Sequence, residues 1–168
     1  MEGRVWACLV NFKYKSFLVE LLYKKYQKRE WCISLFLTIA SSSSIAGWLI
    51  WDELQLLWTI IIATSQAITT IRPLLPYNKY IKELGTKYIN LEDLNLQYER
   101  FWDRISRGKL NEDDIEEYYY ELKKQAIEIL KFSDDVFFDV PKKINKQAED
   151  KISVFLKSNY NVKPINDK

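Results

Sequence analysis

Two uninterrupted apolar arms dominate the pattern of hydrophobic and polar positions. Residues 31–51 read WCISLFLTIASSSSIAGWLIW, a charge-free run of about 20 residues, the length that crosses the hydrocarbon core of a bilayer. Residues 54–75 form a second arm, LQLLWTIIIATSQAITTIRPLL, whose one charge, Arg72, lies near its far end. Only Asp52 and Glu53 separate the arms. Backbone groups in lipid must be satisfied within their own segment, so the pattern predicts a two-helix transmembrane hairpin over 31–76, with spans at 31–51 and 54–75. Trp31, Trp48, Trp51 and Tyr77 lie near the ends of the arms, where aromatic rings settle at headgroup depth.

Outside the hairpin the periodicity is that of amphipathic helices. Val5, Leu9, Phe12, Leu18, Leu21 or Leu22, and Tyr26 recur at three- to four-residue steps over 1–30, with Lys13, Lys15, Lys24, Lys25 and Lys28 among them. This predicts an N-terminal amphipathic helix leading into the first arm. Beyond the hairpin, residues 77–168 read as a helical domain. Tyr88, Leu91, Leu94, Tyr98, Phe101 or Trp102, and Ile105 stripe a helix over 77–106, with Gly108 in the turn after it. Asn111 caps the next helix, whose first turns hold Glu112, Asp113, Asp114, Glu116 and Glu117, as the helix dipole favours, and whose predicted buried face is Ile115, Tyr119, Leu122, Ala126, Ile129 and Leu130. Pro141 fits the first turn of a last helix carrying Ile144, Ala148, Ile152 and Phe155 or Leu156. No strand pattern of useful length appears, and the predicted fold class is an all-α membrane protein.

Charge sets a direction. Lys24, Lys25, Lys28 and Arg29 precede the hairpin, and Arg72, Lys79 and Lys82 follow it, while the turn holds only acids. The positive-inside rule then places both termini in the cytoplasm. The net charge of +2 is too small to imply a nucleic-acid partner.

The polar residues inside the arms carry the candidate chemistry. Ser34, Thr38, Ser41 and Ser42 fall on one face of the first arm; Thr59, Gln66 and Thr70 share a face of the second. An amide near the bilayer midplane is costly without a partner. The two stripes therefore either pack against each other or line an aqueous lumen, and a lumen requires several subunits. Pro73 and Pro76 remove backbone donors beside Arg72 and predict a break or hinge at the inner membrane boundary.

Catalytic patterns are missing. The chain has no histidine, and its two cysteines, Cys8 and Cys32, fit no disulfide framework or metal spacing. No phosphate loop or nucleophile elbow is present, so neither an enzyme nor a cofactor is expected.

The order LLYKKYQKREW, hairpin, IRPLLPYNKYIKEL and then a tail with LQYERFWDRI and EEYYYELKKQA resembles the SLATT-type two-transmembrane effector domains of bacteria. The resemblance implies an inner-membrane protein of anti-phage conflict systems that oligomerises and permeabilises the membrane of an infected cell. It implies the lipid bilayer and further copies of the chain as partners, with sensing by a separate protein or by the helical tail. The alternative from the residues alone is a membrane-anchored interaction module, in which the hairpin only tethers a helical scaffold.

Overall fold

The computed structural model describes residues 1–50, 55–75, 77–132 and 139–162, with side chains throughout except 42–50 and 55. Every described element is helical. The amphipathic N-terminal helix and the first arm form one helix, α1 (Glu2–Ile50). It is followed by α2 (Gln55–Ile71), a 3-10 turn (Arg72–Leu74), α3 (Tyr77–Ser106), α4 (Glu112–Leu130) and α5 (Lys142–Tyr160). Among the described residues no helix is long and apolar enough to cross a membrane. At 17 residues, α2 extends about 25 Å.

The chain divides into two units: residues 1–23 with 82–168, and residues 24–81. In the first unit, the buried positions of α1 include Val5, Leu9, Phe12, Ser16 and Val19, at alternating four- and three-residue steps, with Glu20 and Leu22 buried beyond them. That spacing keeps one seam facing a partner helix. The partner is α3, whose Leu84, Leu91, Leu94, Tyr98, Phe101 and Ile105 are buried at the same rhythm. Ring pairs Trp6–Trp102 (5.0 Å between centroids) and Phe12–Tyr98 (5.3 Å) set the two helices antiparallel. Ser16, fully buried, donates to Glu92 at 2.5 Å, and Lys13 pairs with Glu92 at 3.4 Å.

α4 returns along α3 through Phe101–Tyr118 (5.8 Å) and a bond from Lys87 Nζ to the Lys131 carbonyl (2.6 Å). α5 runs against α1 through Trp6–Tyr160 (4.8 Å), Phe17–Phe155 (6.2 Å) and the Lys151–Glu20 ion pair (2.6 Å). The result is four helices of alternating direction around a core that also holds Ile115, Tyr119, Leu122, Ala126, Ile144, Ala148 and Leu156.

Local signals fix the helix ends. Asn111 accepts from the Asp114 amide at 2.7 Å, the N-cap expected of it. Gly108 ends α3 with φ of 62°, a left-handed conformation that costs glycine nothing. The Gly108 and Lys109 amides then reach back to the carbonyls of Ile105 (2.8 Å) and Arg104 (3.0 Å). Pro141 stands just outside α5 as its N-cap residue, one position earlier than the first turn expected for it. α3 runs unbroken through Gly85. A Cβ there would lie 3.2 Å from the Tyr23 ring, so the glycine lets that ring close on the helix.

Candidate functional site: a polar cleft between two arms

The second unit joins residues 24–50 of α1 to α2, the 3-10 turn and the start of α3. Between its arms lies a cleft of about 440 Å³. From α1 come Ser34, Thr38 and Ser41, spaced four and then three residues apart. From α2 come Ser65 and Thr69, with Arg72 following at the same four-then-three spacing, and Gln66 beside them. Ala40 is buried on this face, where a small side chain allows close approach of helices.

The hydroxyls are oriented by their own helices. Thr38 donates to the Ser34 carbonyl (2.8 Å), Ser41 to Thr38 (3.0 Å), Ser65 to Ile62 (2.8 Å) and Thr69 to Ser65 (2.8 Å). Their protons go to backbone acceptors, and a hydroxyl oxygen engaged in this way keeps acceptor capacity. At one end of the cleft Arg72 forms an ion pair with Glu30 and donates to Ser34 Oγ at 2.8 Å. The Glu30 side chain is 16% exposed and the Arg72 side chain 37%. The arginine therefore ties the end of α2 to α1.

The outer surface of this unit is the reverse. Trp31, Leu35, Phe36 and Ile39 are exposed on α1, and Leu56, Leu57, Ile60, Ile71 and Leu74 on the second arm, Leu56 and Leu74 by 77% and 79%. The cleft thus gathers hydroxyls, an amide and an arginine beside the apolar Leu37, Ala40 and Ile62, while large apolar side chains are exposed on the rest of the unit.

The cleft is lined by Ser34, Thr38, Ser41 and Gln66 of the residues singled out in the sequence, and Thr59 and Thr70, expected on one face with Gln66, are not in its lining. Thr70 donates to the Gln66 carbonyl instead (2.9 Å). Ser65 and Thr69 take their places. The signal for them was the shared spacing of Ser34–Thr38–Ser41 and Ser65–Thr69–Arg72, which puts matching polar rows on two antiparallel arms. The break beside Arg72 is also in place: α2 stops at Ile71, Pro73 lies in the 3-10 turn, and Leu75 before the second proline is extended at ψ of 123°. The Ser42 side chain, Pro76 and the acidic turn Asp52–Glu53 lie outside the described residues.

In the first unit, Asn95 is 1% exposed and Tyr98 fully buried, and neither the Asn95 amide nor the Tyr98 hydroxyl has a hydrogen-bond partner. Burial pushes the Tyr98 phenol up, helped by the neighbouring Cys8 thiol and Tyr119 hydroxyl, which lie close without meeting hydrogen-bond geometry to it. Among the described residues no three His, Cys, Asp or Glu side chains converge to hold a metal ion. No protein-family model, no curated protein and no solved structure matches the chain, so the cleft is read from its own chemistry.

Proposed function

We propose that the chain is a bacterial inner-membrane effector whose hairpin inserts in the bilayer, oligomerises and opens a polar path through it. The observation that carries this is the pairing of a cleft rich in hydroxyls, with an amide and an arginine beside Leu37, Ala40 and Ile62, and a row of large exposed apolar side chains elsewhere on the same two arms. Lipid is the surrounding in which that arrangement is favourable. Spanning draws on the whole charge-free stretch 31–51 and on the second arm together with its 3-10 turn, 54–75. The flanking cations support an orientation with both termini inside. The layout shared with SLATT-type effectors supports a role in anti-phage defence, with the trigger supplied by a partner protein or by the helical unit.

One hairpin cannot enclose water, so the path is built from several copies with their clefts turned toward a common axis. Reconstituted protein is expected to form oligomers and release dye from liposomes. Gln66→Leu and Thr69→Val are expected to slow release about tenfold or more, because each lost polar contact leaves permeating water or ions less well solvated. A monomer that leaves the vesicles tight would refute the pore.

A tether is the second reading, favoured by the separate core of the four-helix unit. It predicts that an unrelated two-span anchor in place of 31–76 preserves function in cells, whereas a pore predicts that the swap abolishes it.

A further inference from the structure

The second unit holds another cavity, of about 670 Å³, at the level where the chain enters the hairpin. Lys24, Gln27, Lys28 and Trp31 border it from α1, at steps of three, one and three residues, which is a single helical face, and Glu30 and Ser34 of the same helix complete that side. Asn78 and Ile81 border it from the start of α3. Side chains four residues apart on a helix stand about 5–6 Å from each other, so the two ammonium groups can share one anion between them. The amides of Gln27 and Asn78 supply neutral donors beside them. Trp31 is 62% exposed, and with Ile81 it gives the cavity an apolar flank.

Charge decides the class of ligand. Residues 24–34 and 72–81 carry six cations (Lys24, Lys25, Lys28, Arg29, Arg72 and Lys79) against one carboxylate, Glu30, which lines the cavity and is ion-paired with Arg72. The cavity has the volume of a small-molecule site, combines cations with an apolar flank, and adjoins the apolar arms. We propose that it holds the headgroup of an anionic phospholipid, with the phosphodiester on Lys24 and Lys28 and the upper acyl chain along Trp31 and Ile81. The proposal rests on the membrane reading of the hairpin. It adds a defined lipid site to what would otherwise be diffuse attraction between basic flanks and an acidic leaflet.

Native mass spectrometry of the full chain in detergent tests it, with phosphatidylglycerol, phosphatidylcholine and soluble glycerol 3-phosphate as probes. Phosphatidylglycerol is expected to stay bound while phosphatidylcholine and glycerol 3-phosphate do not. Lys24→Gln with Lys28→Gln should cut the bound phosphatidylglycerol about tenfold. Lys25→Gln with Arg29→Gln removes the same charge outside the cavity and should leave the bound fraction within about twofold of the unaltered chain. Trp31→Ala, which keeps every charge, should lower it as well. Equal loss in the two double variants would reduce the site to diffuse electrostatics and overturn the proposal. Equal retention of the two lipids, or tight binding of glycerol 3-phosphate, would do the same. An alkaline wash of vesicles separates the failures: release of the protein refutes the membrane hairpin, whereas retention without lipid preference refutes only the headgroup site.

Discussion

Tyr98 shows how single residues set the properties of the helical unit. Its ring stacks on Phe12, but its hydroxyl is buried without a hydrogen bond, a cost of about 1–3 kcal/mol for a group of this kind. Tyr98→Phe is therefore expected to leave stability unchanged or raise it by about 1 kcal/mol, read from denaturant midpoints near neutral pH. Alkali should expose the same feature. Burial raises the phenol pKa of Tyr98 above its ordinary value, and burial likewise raises those of Tyr14, beside Glu149, and Tyr160, beside Glu99 and Asp103. A phenol held protonated in the folded state stabilises fully below the unfolded pKa of about 10, and that contribution is lost as pH rises through the folded value. Stability should thus be level up to about pH 9 and fall beyond 10, less steeply in Tyr98→Phe.

Polar residues at buried positions were also the hardest to read from sequence. Ser16 is fully buried and Asn95 nearly so; both fall at the spacing of the buried seam, but their polar side chains hide them from a reading by hydropathy. Ser16 is inside because Glu92 on the facing helix accepts its proton. That partner is 76 residues away and invisible to local periodicity. Val19 is buried where the pattern favoured Leu18, since the seam advances by strict four- and three-residue steps past Ser16.

At the scale of elements, the stripes of α3 and α4 were legible because both helices are long, strongly periodic and bounded by clear signals. Leu91, Leu94, Tyr98, Phe101 and Ile105 are buried as expected, as are Ile115, Tyr119, Leu122 and Ala126, while Tyr88, Ile129 and Leu130 at the ends of the two stripes are half-buried. The polar face of α2 was less legible. On a helix that is apolar nearly all round, Thr69 and Thr70 differ by one residue and about 100° of rotation, and only the facing arm decides between them. The two ends of the Gly108–Asn111 connection should respond differently to substitution. Asn111→Ala removes the acceptor of the Asp114 amide and is expected to cost about 1 kcal/mol. Gly108→Ala places a side chain at φ of 62° and should cost about 1–2 kcal/mol although no atom crowds the site. Thermal unfolding of the two variants against the unaltered chain measures both.

For the whole molecule, the informative fact is that the four-helix unit is discontinuous in sequence. Residues 1–23 supply its first helix and 82–168 the other three, with 24–81 inserted between. Tyr23 and Gly85, near the two points of insertion, lie in contact, so a short loop can join them. A chain in which a flexible linker of about five residues replaces 24–81 is expected to remain helical and unfold cooperatively in circular dichroism. Loss of cooperative unfolding would mean that the core around Leu84 and Tyr98 does not stand without the insert.

The insertion also imposes an order on synthesis. The first helix leaves the ribosome with its seam of Val5, Leu9, Phe12 and Val19 unpartnered, and the apolar arms follow immediately. Its partners α3, α4 and α5 emerge only afterwards, in that order. The nascent chain therefore presents its hairpin before the helical core can close.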